Sequence, residues 1–224
     1  MNQETLVHSH DTVNGTRATA RLVCVLLCGG ESRRMGEDKA AIELAGRTLL
    51  DRALDALRDL DAPIVLATGP SDRYPESGLP SVQDAPRTAG PAAGLLAAME
   101  AWPAERYVLT ACDMPRLDAG LLRRLVERAE ADDLDACFFT TERGHEPLCA
   151  VYSRRILGLL RSAQAHEKRR VTAFLDERGA DALRVGTLGV DDLPRGLRER
   201  DCARNVNTPE ELRDERRAWE GGGA

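Results

Sequence analysis

Apolar residues run without alternation through Leu22-Val23-Cys24-Val25-Leu26-Leu27 and stop at Cys28-Gly29-Gly30. A continuous run of this length predicts a strand covered on both faces, the kind found in parallel sheets. Further on, Leu50, Ala53, Leu54, Leu57 and Leu60 recur at three-to-four spacing among Asp and Arg residues, which predicts an amphipathic helix. Residues 63–69 predict a second strand ending at a turn, and Val82 precedes a short loop rich in Pro and Gly. The alternation continues with a helix over 92–101, a strand over 106–111 and a helix over 119–131. Strands over 135–140 and 147–152 and helices over 156–162 and 171–178 complete it. Strands alternating with amphipathic helices predict an α/β fold whose sheet is mostly parallel and covered on both faces. Near the C-terminus, Thr208-Pro209-Glu210-Glu211 has threonine as N-cap, proline at the first helical position and a capping-box glutamate. Asn207 therefore falls at a strand-to-helix junction.

A chain of 224 residues is long enough for one substantial core, so a single domain is expected over 21–217. The polar residues 1–20 read as a flexible extension and residues 218–224 as a flexible tail. Only 4% of residues are aromatic, so the core must be built from leucine, valine and alanine. With 31 basic and 37 acidic side chains the net charge is −6, which argues against a general nucleic-acid surface and requires any cationic site to be local. Two basic clusters stand out, Arg33-Arg34 and Lys168-Arg169-Arg170. The second reads as a solvated face, although a second anionic substrate would need some such patch. No apolar segment is long enough to span a membrane, and residues 1–20 lack an apolar export core. The six cysteines form no CxxC pair and four lie in apolar runs, so they read as small buried hydrophobes in a reducing cytoplasm.

The chemistry concentrates where the first strand ends. Gly29 and Gly30 permit close backbone approach, so that amides can converge on phosphate oxygens, while Arg33, Arg34 and Lys39 supply charge. The spacing is not that of a Walker A loop, because Gly30 and Gly36 enclose five residues and Glu37-Asp38-Lys39 follows. The adjacent Gly29-Gly30 pair does not give the Gly-x-Gly-x-x-Gly of dinucleotide-binding folds either. Asp113 closes the apolar run 107–112 and precedes Met114-Pro115, so its carboxylate should emerge at the C-terminal edge of the sheet, where open α/β sheets bind ligands. Gly90-Pro91 and Gly94 open a helix whose N-terminus should face the same edge, or simply shape a tight turn. His145 reads as a solvated loop histidine. Ser32 lacks a histidine motif and the cysteines lack a partner pattern, so no covalent nucleophile is indicated.

The string Leu27-Cys28-Gly29-Gly30-Glu31-Ser32-Arg33-Arg34-Met35-Gly36-Glu37-Asp38-Lys39 resembles the signature of the nucleotidyltransferases that include molybdenum cofactor guanylyltransferase. Matches follow in order at Gly90-Pro91-Ala92-Ala93-Gly94, Cys112-Asp113-Met114-Pro115, Glu146-Pro147-Leu148 and Asn205-Val206-Asn207-Thr208-Pro209, so the resemblance spans residues 21–215. It implies a Rossmann-like three-layer sandwich of the nucleotide-diphospho-sugar transferase type. It also implies Lys39, Arg34 and Asp113 as catalytic residues, and Leu27, Cys28, Gly29, Gly30, Lys39, Asp84, Gly90 and Asp113 as nucleotide-binding. Mg²⁺ on Asp113 and Asn207 is the implied cofactor. Asp84 reads equally as a plain loop aspartate, and Asn207 equally as a turn former before Thr208. The implied substrates are GTP and Mo-molybdopterin, with molybdoenzymes receiving the product and neither nucleic acid nor membrane as partner. Asp38-Lys39 and the Gly90-Pro91 loop favour guanine over the related cytidylyltransferases. Against it, residues 66–69 lack an asparagine that guanylyltransferases often carry there. A sugar-nucleotide synthase would need a repeat or long extension that does not follow. A non-catalytic nucleotide or cofactor carrier would not need Lys39 and Asp113 together.

Overall fold

The computed structural model describes residues 19–29, 38–85, 88–198 and 200–220. The chain opens with β1 (Ala20–Leu27), then a small antiparallel hairpin of β2 (Glu43–Leu44) and β3 (Arg47–Thr48) that leads into α1 (Leu49–Arg58). β4 (Ile64–Ala67), β5 (Ser81–Val82), α2 (Pro91–Ala101), β6 (Ala104–Ala111) and α3 (Ala119–Ala131) follow. The second half contributes β7 (Ala136–Thr141), β8 (Gly144–Ser153), α4 (Leu157–Ala165), β9 (Val185–Gly189), α5 (Arg195–Arg198) and α6 (Pro209–Glu220).

Seven strands form one sheet in the order β5-β4-β1-β6-β8-β7-β9. All neighbours pair in parallel except β8, which is antiparallel to both β6 and β7. The cause is local: only Glu142 and Arg143 separate β7 from β8, and so short a connection can join strands only as a hairpin. The reversal has a functional result. It brings the start of β8, with Glu146-Pro147-Leu148, to the same edge as the end of β6, where Thr110 pairs with Cys149.

The continuous apolar character of β1 is explained by cover on both faces. Cys24 and Leu26 pack with Leu54, Leu57, Leu121 and Leu125 of α1 and α3, whereas Val23 and Val25 pack with Leu95 and Met99 of α2 and with Leu160 beyond. Each such leucine, fully buried, contributes about 1.5–3 kcal/mol relative to exposure. The three-layer α/β sandwich expected from the sequence is thus observed. All six cysteines are buried and free, as small hydrophobes of the core.

Three expectations need adjustment, and the strand β9 was not foreseen. Residues 171–176 form 3₁₀ turns rather than an α-helix, since the anchors Val171 and Phe174 are three apart and satisfy either period. β9 was not legible, because its pattern Val-Gly-Thr-Leu-Gly leaves Val185 exposed at the edge of the sheet. The tail expected from 218 is helical to Glu220, because Trp219 packs under the Arg52 guanidinium, 4.0 Å from the ring centroid, and donates to Glu215 at 2.9 Å. Of the extension expected over 1–20, only Thr19 and Ala20 lie within the described residues, and Ala20 already pairs with Ala104. Among the described residues no helix is long and apolar enough to cross a membrane.

Candidate active site

From β1 the chain proceeds outward through β4 and β5, then returns to place β6 on the other flank of β1. At such a reversal the connections leave in opposite directions and open a crevice at the carboxyl ends of the strands. Here the crevice is a cleft of about 540 Å³ whose floor is made by Leu27, Cys28, Gly29, Ala67, Ala111 and Cys112. Two glycines make it possible. A Cβ on Gly29 would lie 2.3 Å from Gly69 N and Thr68 C, so the exits of β1 and β4 touch backbone to backbone. A Cβ on Gly94 would lie 2.7 Å from Leu27 Cδ2, so α2 also seats directly on the sheet. The amides of Cys28 and Gly29 both donate to Ala67 O, at 3.1 and 3.0 Å. Gly29 therefore serves close approach, and its N–H is not offered to a ligand as the sequence suggested.

Lys39 begins a 3₁₀ turn (Lys39–Ala41) capped by Asp38, whose Oδ1 accepts from Ala40 N at 3.2 Å. Its ammonium donates to Asp113 Oδ2 at 3.1 Å and to Asn207 Oδ1 at 2.7 Å. Three segments distant in sequence thus meet at one cation. Val206 N–H donates to Asp113 O at 2.8 Å, which ties the loop before α6 to the end of β6; Asn207 therefore follows a loop and not the strand expected from the sequence. The capping box at Thr208 is formed as expected: Glu211 N–H donates to Thr208 Oγ1 at 3.2 Å and Thr208 N–H to Glu211 Oε2 at 2.9 Å. Glu211 also accepts from Asn207 N–H at 2.6 Å, and that bond is the main reason its carboxyl titrates below the usual glutamate range. Asn207 hence has a backbone duty in the turn and an amide oxygen facing Lys39 and Asp113.

The second carboxylate oxygen of Asp113, Oδ1, is buried and has no hydrogen-bond partner among the described residues. A buried acceptor left open costs about 1–3 kcal/mol, so its position calls for a ligand. Oxygens of Asp113 and Asn207 converge on one point already occupied by an ammonium. That donor set suits a hard divalent cation that takes one or two ligands from protein and the rest from phosphate and water. Beside it, burial raises the Glu146 carboxyl above its usual range, opposed by the 3.3 Å bond from Asn205 Nδ2.

One network here was not read from the sequence. The Tyr74 hydroxyl lies 2.8 Å from both oxygens of Asp38 and 3.2 Å from Cys28 O, and Arg73 reaches Asp38 Oδ2 at 3.1 Å. Tyr74 adopts φ 61° and ψ 43°, the left-handed region that a bulky side chain rarely enters. Burial first, and then the Asp38 carboxylate, raise its phenol far above the ordinary range, so it remains a donor.

The remaining predicted residues are distributed as follows. Leu27, Cys28, Asp84 and Gly90 all line the cleft with Lys39 and Asp113. Burial raises the Asp84 carboxyl, and pushes the Cys28 thiol up to about 12, so that thiol is inert. Gly90 precedes α2, but Ala92 N–H donates to Arg169 O at 3.2 Å, so this helix end is partly closed by protein. Arg169, read from sequence as part of a solvated run, lines the cleft through that contact. The basic run itself was the available signal. At the position of the expected asparagine, Ala67 is 2% exposed and Thr68 is fully buried with its hydroxyl on Val82 O at 3.3 Å. Gly30 and Arg34 lie outside the described residues. His145 is exposed, as expected, but it is a strand residue and not a loop one: it pairs with Thr140 across the β7–β8 hairpin and bonds its hydroxyl.

Comparison with known proteins places this geometry among relatives. Residues 24–182 match the family model of the MobA-like NTP transferase domain. The molybdenum cofactor guanylyltransferase of Sinorhizobium fredii is 34% identical over 92% of this chain and 95% of its own length. The probable molybdenum cofactor guanylyltransferase of Carboxydothermus hydrogenoformans is 29% identical over 84% of this chain and 91% of its own. Among solved structures, molybdopterin-guanine dinucleotide biosynthesis protein A from Archaeoglobus fulgidus superposes with a TM-score of 0.75 at 24% identity, covering 89% of this chain and 99% of that one.

Proposed function

The chain belongs to the MobA-like NTP transferase family, and from that premise we propose that it is a molybdenum cofactor guanylyltransferase, using GTP and Mo-molybdopterin as substrates. An oxygen of the molybdopterin phosphate forms a bond to the α-phosphorus of GTP, and the bridging bond between the α-phosphorus and the β-phosphate oxygen breaks. Pyrophosphate leaves with the electron pair, and the guanine dinucleotide cofactor remains for delivery to molybdoenzymes. The names of the relatives supply the substrates. The observation that carries the chemistry is the Lys39 ammonium held between Asp113 and Asn207 at the carboxyl edge of the sheet.

A phosphomonoester acceptor is already anionic near pH 7, so the protein needs no general base. Its work is to align the acceptor with the α-phosphorus and to neutralise charge on the departing pyrophosphate. Lys39 does the latter, released from its carboxylate partner as the phosphates arrive. Arg34 is assigned the same duty on sequence grounds alone, as part of the signature Gly-Gly-x-Ser-x-Arg-Met-Gly. Asp113 and Asn207 would hold Mg²⁺, which when bound supplies the positive charge that offsets the triphosphate. Arg169 lines the cleft beside Gly90 and is a further candidate for contact with the phosphates.

Base identity rests on the relatives and on the rim of the cleft at Asp84, since neither Ala67 nor Thr68 presents a free polar group. The missing asparagine is the one observation that favours a cytidylyltransferase acting on the same cofactor. Incubation with Mo-molybdopterin, Mg²⁺ and equal concentrations of GTP, CTP and ATP separates the readings. Guanine dinucleotide with stoichiometric pyrophosphate is expected; an excess of the cytosine dinucleotide would establish the second reading, and bound nucleotide without pyrophosphate a carrier.

A further inference from the structure

We propose that Tyr74 and Asp38 act as one positioning unit for Lys39, with Tyr74 joining the exit of β4 to Cys28 and Asp38 so that the turn bearing Lys39 starts from a fixed point. The inference rests on the reading of this cleft as a nucleotidyl-transfer site. Its basis is independent of that reading, however, and lies in the backbone and hydrogen bonds around Tyr74.

Lys39 has a long, flexible side chain, and its usefulness depends on where its backbone is held. The direction of that side chain is set by the 3₁₀ turn Lys39–Ala41, and the turn is set by Asp38. Asp38 O accepts from Ala41 N–H at 3.1 Å while its carboxylate accepts from Ala40 N–H. That carboxylate has a second face, and Tyr74 and Arg73 occupy it. The phenol has one proton, which both Asp38 oxygens share at equal distance, with Cys28 O as a third acceptor nearby. Cys28 is itself fixed to β4 through Ala67 O. Tyr74 therefore holds the last residue before Lys39 in register with the floor of the cleft.

Strain supports a positional role. A left-handed tyrosine costs on the order of 1–3 kcal/mol and persists only where its surroundings over-determine it. Ser77 Oγ donates to Tyr74 O at 2.8 Å, and the Arg73 guanidinium lies 5.6 Å from the ring centroid. The residue as a whole is 9% exposed. A structural turn at this place would be met more simply by glycine or asparagine. What those residues lack is a hydroxyl that reaches Asp38.

The test is a double-mutant cycle in the full chain with Tyr74→Phe and Asp38→Asn, measuring pyrophosphate release, nucleotide affinity, thermal melting and amide exchange. Tyr74→Phe keeps the ring and removes only the hydroxyl; Asp38→Asn keeps an oxygen acceptor and serves where Asp38→Ala fails to fold. Loss of a hydrogen bond to a charged group should lower kcat about tenfold or more in Tyr74→Phe, with nucleotide Kd within about threefold of wild type. The double mutant should be no slower than the slower single mutant, because both remove the same unit. Amide exchange at Ala40 and Ala41 should accelerate in Tyr74→Phe whether or not the chain transfers nucleotide. A kcat within twofold of wild type, losses that multiply, or unchanged exchange at Ala40 and Ala41 would each overturn the proposal. A wild-type chain that releases no pyrophosphate, with exchange at Ala40 and Ala41 still accelerated by Tyr74→Phe, would overturn the transfer reading and leave the coupling itself established.

Discussion

Replacing Asp113 by alanine should separate stability from turnover, because the carboxylate is poorly served in the ion-free protein. Asp113 Oδ2 accepts one charge-assisted bond from Lys39 at 3.1 Å, between side chains that are 17% and 20% exposed. Such a bond contributes about 1.5–3 kcal/mol. Oδ1, buried without a partner among the described residues, costs about 1–3 kcal/mol. The two contributions offset, and the Val206-to-Asp113 bond survives because it involves only backbone. The ion-free variant should therefore melt within about 4–8 °C of wild type, the span of roughly 2 kcal/mol for a domain of this size. Turnover should fall by more than about a hundredfold, as when one electrostatic stabiliser is removed from an active site. Calorimetric melting with chelator, with Mg²⁺ and with Mg²⁺ plus GTP, alongside pyrophosphate release, gives both quantities on one preparation. The wild-type melt should rise on adding Mg²⁺ and GTP and the variant's should barely move. A larger loss of melting temperature in chelator would make Asp113 a structural residue, and turnover within about tenfold of wild type would remove it from the proposed chemistry.

Lys39→Ala should lower kcat more than it raises nucleotide Kd, since a cation aimed at the leaving group matters most as charge accumulates; single-turnover rates at saturating GTP check this, and a change confined to Kd would leave Lys39 as an anchor only. Asn207→Ala should raise the Mg²⁺ concentration for half-maximal rate while harming turnover less than Asp113→Ala, because a neutral amide oxygen binds a hard cation more weakly than a carboxylate. An unchanged Mg²⁺ dependence with a lowered melting temperature would confine Asn207 to the turn. Glu211→Gln should melt below wild type at neutral pH and meet it in acid. The Glu211 carboxyl is held low, first by Asn207 N–H, so its stabilisation is present above the ordinary glutamate value of about 4.3 and is lost as pH falls through the lower folded-state value. Melting curves from pH 7 to pH 3 would show the gap closing, and a gap independent of pH would contradict this.

What was legible in the sequence was what local pattern controls. The unbroken run before Gly29, the stripe of α3 over 119–131 and the Thr208 capping box each carry their own period or spacing, and each was placed to within a few residues. Asp113 was placed because a strand's end and a Pro fix the direction in which its side chain leaves. The antiparallel course of β8 was not assigned, since an apolar strand reads the same in either direction and only the two-residue connection after Thr141 decides it. Tyr74 gave no signal because a left-handed tyrosine is held by Asp38, a residue distant in sequence, and not by its neighbours in sequence. Glu215 was equally hidden: it sits in a polar helix, yet it is fully buried against Arg116 and Arg204.

The contact of Gly29 with Gly69 and Thr68 limits how this cleft can diversify. Where two strand exits meet backbone to backbone, no side chain can be interposed, and no substitution there can add a group that distinguishes one base from another. Gly94 imposes the same limit from the helix side, since anything larger would strike Leu27 and Ala67. Variation that retunes nucleotide choice is thereby directed outward, to the side chains of positions such as Pro70, Asp84, Ala89 and Arg169 that border the opening, where Asp84 and Arg169 support the fold through backbone bonds that a change of side chain leaves in place. An engineer seeking a different base would leave the floor untouched and randomise that border. The triangle of Lys39, Asp113 and Asn207, proposed above as the catalytic group, is held from other segments and should tolerate the exchange.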